Sequence, residues 1–114
     1  MRLRHIPGAE ETIAASPYVV QDPQAQKGRW DQLFGNTNPI EIEVGMGKGR
    51  FIMELAHKNP GINYIGIERY SSVLLRGLQK RAELELDNIF FMCIDAKTLA
   101  DVFAPGEVNR IYLN

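Results

Sequence analysis

The sequence predicts an α/β protein built on a doubly wound parallel sheet, and three observations lead to this fold class. Short apolar, β-branched runs alternate with segments of helical periodicity between residues 40 and 113. The segments between these runs are long enough to cross over as helices, as parallel strands require. The third run, residues 89–94, is almost entirely apolar, which is typical of a strand covered on both faces.

Length and composition favour one globular unit in a reducing compartment. The chain has 114 residues, with 13 Lys and Arg against 14 Asp and Glu and a net charge of −1. This size supports one hydrophobic core, and this charge excludes a surface that is basic throughout, although a local basic patch remains compatible with it. Cys93 is the single cysteine and cannot form an internal disulfide. With neither a signal peptide nor an apolar run of roughly 18 residues, we expect a cytoplasmic protein.

Residues 1–39 are predicted to form an N-terminal extension with one helix. Residues 1–21 lack clear periodicity and are expected to wrap the core or reach a partner. Their basic residues are Arg2, Arg4 and His5.

The helix of this extension is predicted to have Asp22 as its N-cap, Pro23 in its first position and Gly35 as its stop. Its buried stripe would consist of Trp30, Leu33 and Phe34.

The elements of the sheet follow from residue 40 onward. The predicted strands are 40–44, 62–67, 89–94 and 108–113. The predicted helices are 49–58, 71–85 and 96–103. The expected apolar faces are Phe51, Ile52, Leu55 and Ala56 on the first of these helices, and Val73, Leu74, Leu78 and Ala82 on the second.

The position of Asn114, directly after the fourth predicted strand, bears on the extent of the domain. Open parallel sheets bind their ligands at the carboxyl ends of the strands. We therefore expect a functional loop to follow Asn114, and residues 40–114 to be the N-terminal, ligand-binding half of a domain that is cut after its fourth strand.

A glycine-rich turn joins the first predicted strand to its helix, with Gly45, Gly47 and Gly49 alternating with other residues. Such a turn lets a ligand approach the backbone and the amides at the start of the helix. A dinucleotide fingerprint would need glycine where Arg50 stands, and a P-loop would need a Gly-Lys-Ser/Thr sequence that is absent. The simpler interpretation, a tight turn without a ligand, remains open at this point.

Glu43, two residues before the first glycine, restricts the charge of a possible ligand. A pyrophosphate close to this carboxylate would cost on the order of 4 kcal/mol for each like-charge contact at ~4 Å and an effective dielectric constant of ~20. An ammonium or sulfonium group would be attracted instead, and a ligand carboxylate could use the helix amides. S-adenosylmethionine fits this pattern, whereas NAD and ATP do not.

Two further acids follow the next two strands. Glu68 lies where a carboxylate can accept both hydroxyls of a ribose, and Asp95 lies where one can accept the exocyclic amine of an adenine. Each has a simpler alternative: Glu68 could pair with Arg69, and Asp95 could cap the following helix. Acids after three consecutive strands together favour an adenosylmethionine site.

The sequence resembles the bacterial tRNA (guanine-N7)-methyltransferases over nearly its whole length. The segments that carry the resemblance include Leu33-Phe34-Gly35-Asn36, Ile42-Glu43-Val44-Gly45-Met46-Gly47-Lys48-Gly49, Asn63-Tyr64-Ile65-Gly66-Ile67-Glu68 and Arg110-Ile111-Tyr112-Leu113-Asn114.

This resemblance implies a Rossmann-like, class I adenosylmethionine-dependent methyltransferase that acts on tRNA. No group of Cys, His, Asp or Glu in the sequence has the spacing of metal ligands, so we expect no metal ion. The resemblance also implies that Glu43, Glu68 and Asp95 bind the cofactor and that catalytic residues follow Asn114. We expect contacts with tRNA from Arg2, Arg4 and Lys48, although each could also be a solvated surface charge. A methyltransferase for small molecules and a non-catalytic cofactor-binding chain are the alternatives.

Overall fold

A four-stranded parallel sheet forms the centre of the molecule. The structure is a computed structural model that describes residues 6–113. The strand order is β3-β2-β1-β4, and every neighbouring pair is parallel, so the predicted doubly wound fold is confirmed. The strands are β1 (Ile40–Val44), β2 (Asn63–Ile67), β3 (Ile89–Met92) and β4 (Arg110–Leu113).

Helices cover both faces of this sheet. The α-helices are α1 (Ala9–Ala15), α2 (Trp30–Phe34), α3 (Arg50–Lys58), α4 (Ser71–Leu84) and α5 (Leu99–Val102). Two 3₁₀ turns, Pro23–Gln26 and Ala96–Thr98, precede α2 and α5. Within the described part of the chain, no helix is long and apolar enough to cross a membrane.

The alternation of side chains along the strands creates two cores. On one face Tyr64 and Phe91 of the sheet pack with residues of α1, α3 and α4. On the other face Ile42 and Ile65 pack with Trp30 of α2 and with α5. Since α3 and α4 lie on the first face, the odd-numbered positions of β1, including Glu43, point towards them.

The N-terminal part of the chain differs from the prediction. Residues 9–15 form α1, which packs on α4 although no periodicity was evident there. The helix is only seven residues long and buries just Ala9 and Ile13, so its amphipathic pattern is too short to detect. Val19 then pairs in parallel with Phe91 of β3.

The prediction of a single helix after Asp22 is wrong. A 3₁₀ turn (Pro23–Gln26) and the separate helix α2 replace it, because Gly28 between them has a left-handed φ of 77°. Asp22 makes no side-chain cap. The predicted stop at Gly35 is confirmed, since this residue caps α2 in the left-handed conformation.

Two predicted helix faces also need correction. In α3, Phe51 is 46% exposed and Met53 is buried in its place. In α4, Val73 is only half-buried and Ala82 is exposed, whereas Leu75 is buried on a helix that α1 packs against. The buried residues of α4 are Leu74, Leu75, Gly77, Leu78 and Arg81.

The outer elements are shorter than predicted. Strand β2 starts one residue later than expected, β3 ends at Met92 and β4 starts at Arg110. The helix expected over 96–103 is a 3₁₀ turn followed by α5.

Candidate functional site

The glycine-rich turn, residues 45–49, folds sharply over the end of β2. The amides of Gly45 and Met46 both donate to the carbonyl oxygen of Ile67, at 2.9 and 3.0 Å. Gly45, Gly47 and Gly49 all have positive φ, at 74°, 60° and 81°, which other residues adopt only with strain. Gly49 caps α3, so the turn brings the free amides of the first turn of α3 to the carboxyl edge of the sheet.

Met46 holds this turn in place, although it was not among the predicted site residues. Its side chain is buried and lies against glycines of the turn, of β2 and of α4. A Cβ atom on Gly77 would lie 2.9 Å from Met46 Cε, and one on Gly66 would collide with the sulfur. The signal available in the sequence was an isolated glycine inside a strand, Gly66, and another inside a helix, Gly77.

Glu43 is fully buried near the carboxyl end of β1. It lies in register with Gly66 of β2 on one side and with Tyr112 of β4 on the other. Burial of a carboxylate is costly unless hydrogen bonds or opposite charges compensate it. Glu43 therefore places a fully buried carboxyl group at the carboxyl end of the sheet, next to the glycine turn.

Glu68, directly after β2, connects the glycine turn to the start of α4. Its Oε1 accepts a hydrogen bond from the amide of Gly47 at 3.0 Å, and its Oε2 accepts one from the amide of Tyr70 at 3.1 Å. The alternative pairing with Arg69 does not occur among the ion pairs of the described residues. Arg69 instead lies over the Tyr70 ring, 5.0 Å from its centroid.

Asp95 follows β3 and caps the 3₁₀ turn at Ala96–Thr98. Its Oδ1 accepts a hydrogen bond from the amide of Lys97 at 3.0 Å, so the capping role considered from the sequence is present. The side chain is half-buried. One cap bond leaves acceptor capacity on the carboxylate, because an ionised carboxylate offers about four lone-pair positions.

Cys93 lies between Glu68 and Asp95 in this edge of the sheet. Burial raises the pKa of its thiol, and the nearby charges of Glu68 and Glu10 raise it further. Its Sγ donates to the carbonyl oxygen of Arg69 at 3.6 Å. Cys93 therefore presents a neutral thiol to this edge.

Two tyrosines line the strands beneath α3. The Tyr112 hydroxyl donates to Glu41 Oε1 at 3.0 Å, and its ring meets Phe51 edge-on at 5.1 Å between centroids. Burial and this hydrogen bond raise the pKa of Tyr112, while burial and the charge of Glu41 raise the pKa of Tyr64. Both phenols thus remain protonated near neutral pH, and they place polar but uncharged groups beside β1.

The sequence-predicted site residues fall into three groups. The sheet order brings Glu43 near the end of β1, Glu68 after β2 and Asp95 after β3 to one edge, with the glycine turn between the first two. Lys48 is exposed on the turn itself, whereas Arg2 and Arg4 lie outside the described residues. Between residues 6 and 113, no cluster of three or more His, Cys, Asp or Glu side chains could hold a metal ion.

A parallel sheet of this order, with a glycine turn after β1 and carboxylates at the ends of three adjacent strands, is typical of the Rossmann-like fold of class I methyltransferases. The crystal structure of a 30S ribosomal A1408 methyltransferase from an uncultured bacterium superposes with a TM-score of 0.60 at 19% identity, over 75% of this chain and 42% of that one. A family model described as "Putative methyltransferase" matches residues 37–114. The chain belongs to this methyltransferase family.

Two curated relatives indicate which methyltransferases of this family the chain is similar to. A protein of Lachnoclostridium phytofermentans is 62% identical over 114 residues, and one of Geobacillus sp. (strain WCH70) is 56% identical over 115. Both are named tRNA (guanine-N(7)-)-methyltransferase, so the resemblance found in the sequence is confirmed. Each match includes the whole of this chain but only 53% and 52% of the relative, so the chain spans about half the length of these proteins.

Proposed function

We propose that this chain forms the cofactor-binding part of an enzyme that transfers a methyl group from S-adenosylmethionine to N7 of a guanine in tRNA. The observation that carries the proposal is the arrangement of Glu43, Glu68 and Asp95 around the glycine turn, at the ends of three adjacent strands. The names of the relatives supply the substrate and the position methylated.

The chemistry of these residues fits the cofactor group by group. The buried Glu43 carboxylate would attract the ammonium and sulfonium charges. The free amides at the start of α3, which has nine residues, would bind the cofactor carboxylate. Glu68 would accept the ribose hydroxyls, and Asp95 would accept the adenine amine. Glu68 retains lone pairs for this after its two amide bonds, so it would hold the turn and the ribose together.

The bound cofactor supplies an electrophilic methyl group, and the residues of this chain would act by holding and orienting it. Guanine N7 carries a lone pair and no proton, so no general base has to create the nucleophile. Alignment of the nucleophile and the methyl carbon can account for up to ~7–11 kcal/mol of the barrier. Because N7 must be free of stacking and tertiary pairing, the target guanine has to be exposed before reaction.

The remaining predictions belong to the same proposal. Residues 40–114 carry the cofactor site, and residues 1–39 are an N-terminal extension whose Arg2 and Arg4 reach the tRNA together with Lys48. The enzyme acts in the cytoplasm and needs no metal ion.

The direct test is a methylation assay of the full-length protein with tRNA and labelled S-adenosylmethionine. We expect label in the tRNA and strand cleavage under conditions specific for N7-methylguanine. A matched transcript made with 7-deazaguanosine, which lacks N7, should accept no label. Label retained in the deaza transcript would refute methylation at N7. Transfer to small molecules but not to tRNA would establish the small-molecule alternative.

A further inference from the structure

A cavity of about 640 Å³ lies between α3 and α4, on the side of these helices that faces away from the sheet. We call it the α3–α4 groove. Its basic lining residues are Lys48, Arg50, His57, Lys58, Arg76 and Lys80.

The charge of the α3–α4 groove contrasts with that of the whole chain. Five of the 13 Lys and Arg line it, although the net charge of the chain is −1. Glu54 is the one carboxylate among the lining residues, and it pairs with Arg50 at 3.6 Å. Lys80 pairs with Glu83, outside the lining, at 3.8 Å, and both of these ion pairs are exposed to solvent. Cations assembled around one concave surface raise the local concentration of anions and attract polyanions above all.

The spacing of the lining residues shows that the groove runs along the two helices. On α4, Arg76, Lys80 and Leu84 are four residues apart and so lie in one row along the helix. At 1.5 Å per residue this row is about 12 Å long. Opposite it, the lining residues of α3 repeat at intervals of three and four, from Arg50 to Lys58. Cations spread along both helices, Arg76 and Lys80 on one side and Arg50 and Lys58 on the other, match the repeated charges of an extended phosphodiester chain better than the single charge of a small anion.

The apolar floor of the groove and its end beside the glycine turn also fit an extended phosphodiester chain. Met53 and Leu84 give it an apolar floor, against which a ribose or base can lie. Lys48 belongs to the glycine turn, and its carbonyl oxygen lies 3.2 Å from where a Cβ of Gly77 would be. The groove therefore starts at the glycine turn and leads away from it.

We propose that the α3–α4 groove binds the sugar-phosphate backbone of the RNA substrate and guides the strand towards the cofactor site. This inference rests on the proposed function for the identity of the RNA, and it adds Arg76, Lys80 and Lys58 to the residues that contact it. The contacts are electrostatic and independent of sequence, so they set affinity and its dependence on salt.

The test compares two variants of the full-length protein that change the charge equally. Arg76→Glu with Lys80→Glu reverses two charges in the groove. Lys27→Glu with Arg29→Glu reverses two exposed charges beside α2, on the opposite face of the sheet. With tRNA we expect the groove variant to lose at least about tenfold in affinity at 0.15 M salt, and the slope of log K against log salt to fall in magnitude by about 1.4–1.8. The control variant should stay within about threefold of the unchanged protein.

Adenosylmethionine binding, measured by calorimetry, shows whether the groove variant is folded, and it should be unchanged. If reversal of the charges disturbs α4, the neutral pair Arg76→Gln and Lys80→Gln should give the same loss of salt slope with a smaller loss of affinity. Equal affinity and slope in the groove and control variants would overturn the inference. If the unchanged protein binds tRNA through the groove but does not methylate it, the proposed function is refuted and the inference that the groove binds RNA is supported. A free nucleotide that binds in the groove as tightly as tRNA would contradict that inference.

Discussion

Glu43, Glu68 and Asp95 act through different environments, although all three are carboxylates at strand ends. Glu43 is enclosed, so any cation near it interacts in a medium of low dielectric constant. Glu68 already binds two backbone amides and thereby fixes the glycine turn. Asp95 caps a 3₁₀ turn and stays half-exposed. Glu68 would thus link the shape of the turn to the proposed binding of a ribose.

The residue types and positions of these acids could be predicted from the sequence, because Glu43 lies near the end of a β-branched run and the other two directly follow apolar runs. The hydrogen bond from Gly47 to Glu68 could not, since it depends on how the turn folds over β2. Tyr112 was missed for a similar reason. Its hydroxyl reaches Glu41 only because β4 lies next to β1, a neighbour relation that a linear pattern does not contain.

Cys93 offers a test of the electrostatics at this edge. Because its pKa is raised above the ordinary value of about 8.5, a smaller fraction is thiolate at pH 8 than in an unfolded chain. We expect the pH midpoint for alkylation of Cys93, followed by mass spectrometry of its peptide, to lie higher in the folded protein than in urea. Equal midpoints in the folded and unfolded protein would show that burial and the charge of Glu68 do not act on this thiol.

At the scale of elements, the parts that were predicted well are those with strong local signals. Strand β1 has the predicted bounds, because a β-branched run ends at a glycine. Helix α3 begins one residue later than predicted. The N-terminal elements depend instead on tertiary contacts: Trp30, whose burial was predicted, donates its indole N–H to the carbonyl oxygen of Val102 at 2.9 Å, and its ring stacks on Phe103. No local pattern reveals partners so distant in the sequence.

Met46 packs between β2 and α4, so we expect these two elements to hold the glycine turn in place. Gly66→Ala would push a Cβ into the Met46 sulfur and bring it to 3.0 Å from the Phe91 ring. We expect a loss of about 1–3 kcal/mol in the free energy of unfolding, as is usual for overpacking. Urea denaturation measures this loss.

Gly61→Ala is the matched control for this substitution. Gly61 lacks a positive φ, and a Cβ there would meet no atom within 4 Å, so the change should stay within about 0.5 kcal/mol. Equal stability of the two variants would mean that Met46 does not need the space above Gly66.

For the whole molecule, the net charge of −1 conceals two regions of opposite sign. The carboxyl edge of the sheet carries acids suited to a cationic cofactor, and the α3–α4 groove carries cations suited to RNA. The glycine turn belongs to both, since Glu68 holds it through Gly47 while Lys48 lines the groove. A balanced composition is therefore compatible with a protein that binds a polyanion.

Calorimetry of Glu43→Gln in the full-length protein measures whether the carboxylates around the glycine turn bind S-adenosylmethionine. Glu41→Gln is the matched control, because Glu41 lies on the same strand and face but bonds to Tyr112. A charge-assisted contact contributes about 1.5–3 kcal/mol, so Glu43→Gln should weaken binding roughly 10- to 100-fold. Glu41→Gln should leave it within about threefold. Cofactor affinity in Glu43→Gln equal to that of the unchanged protein would contradict the account.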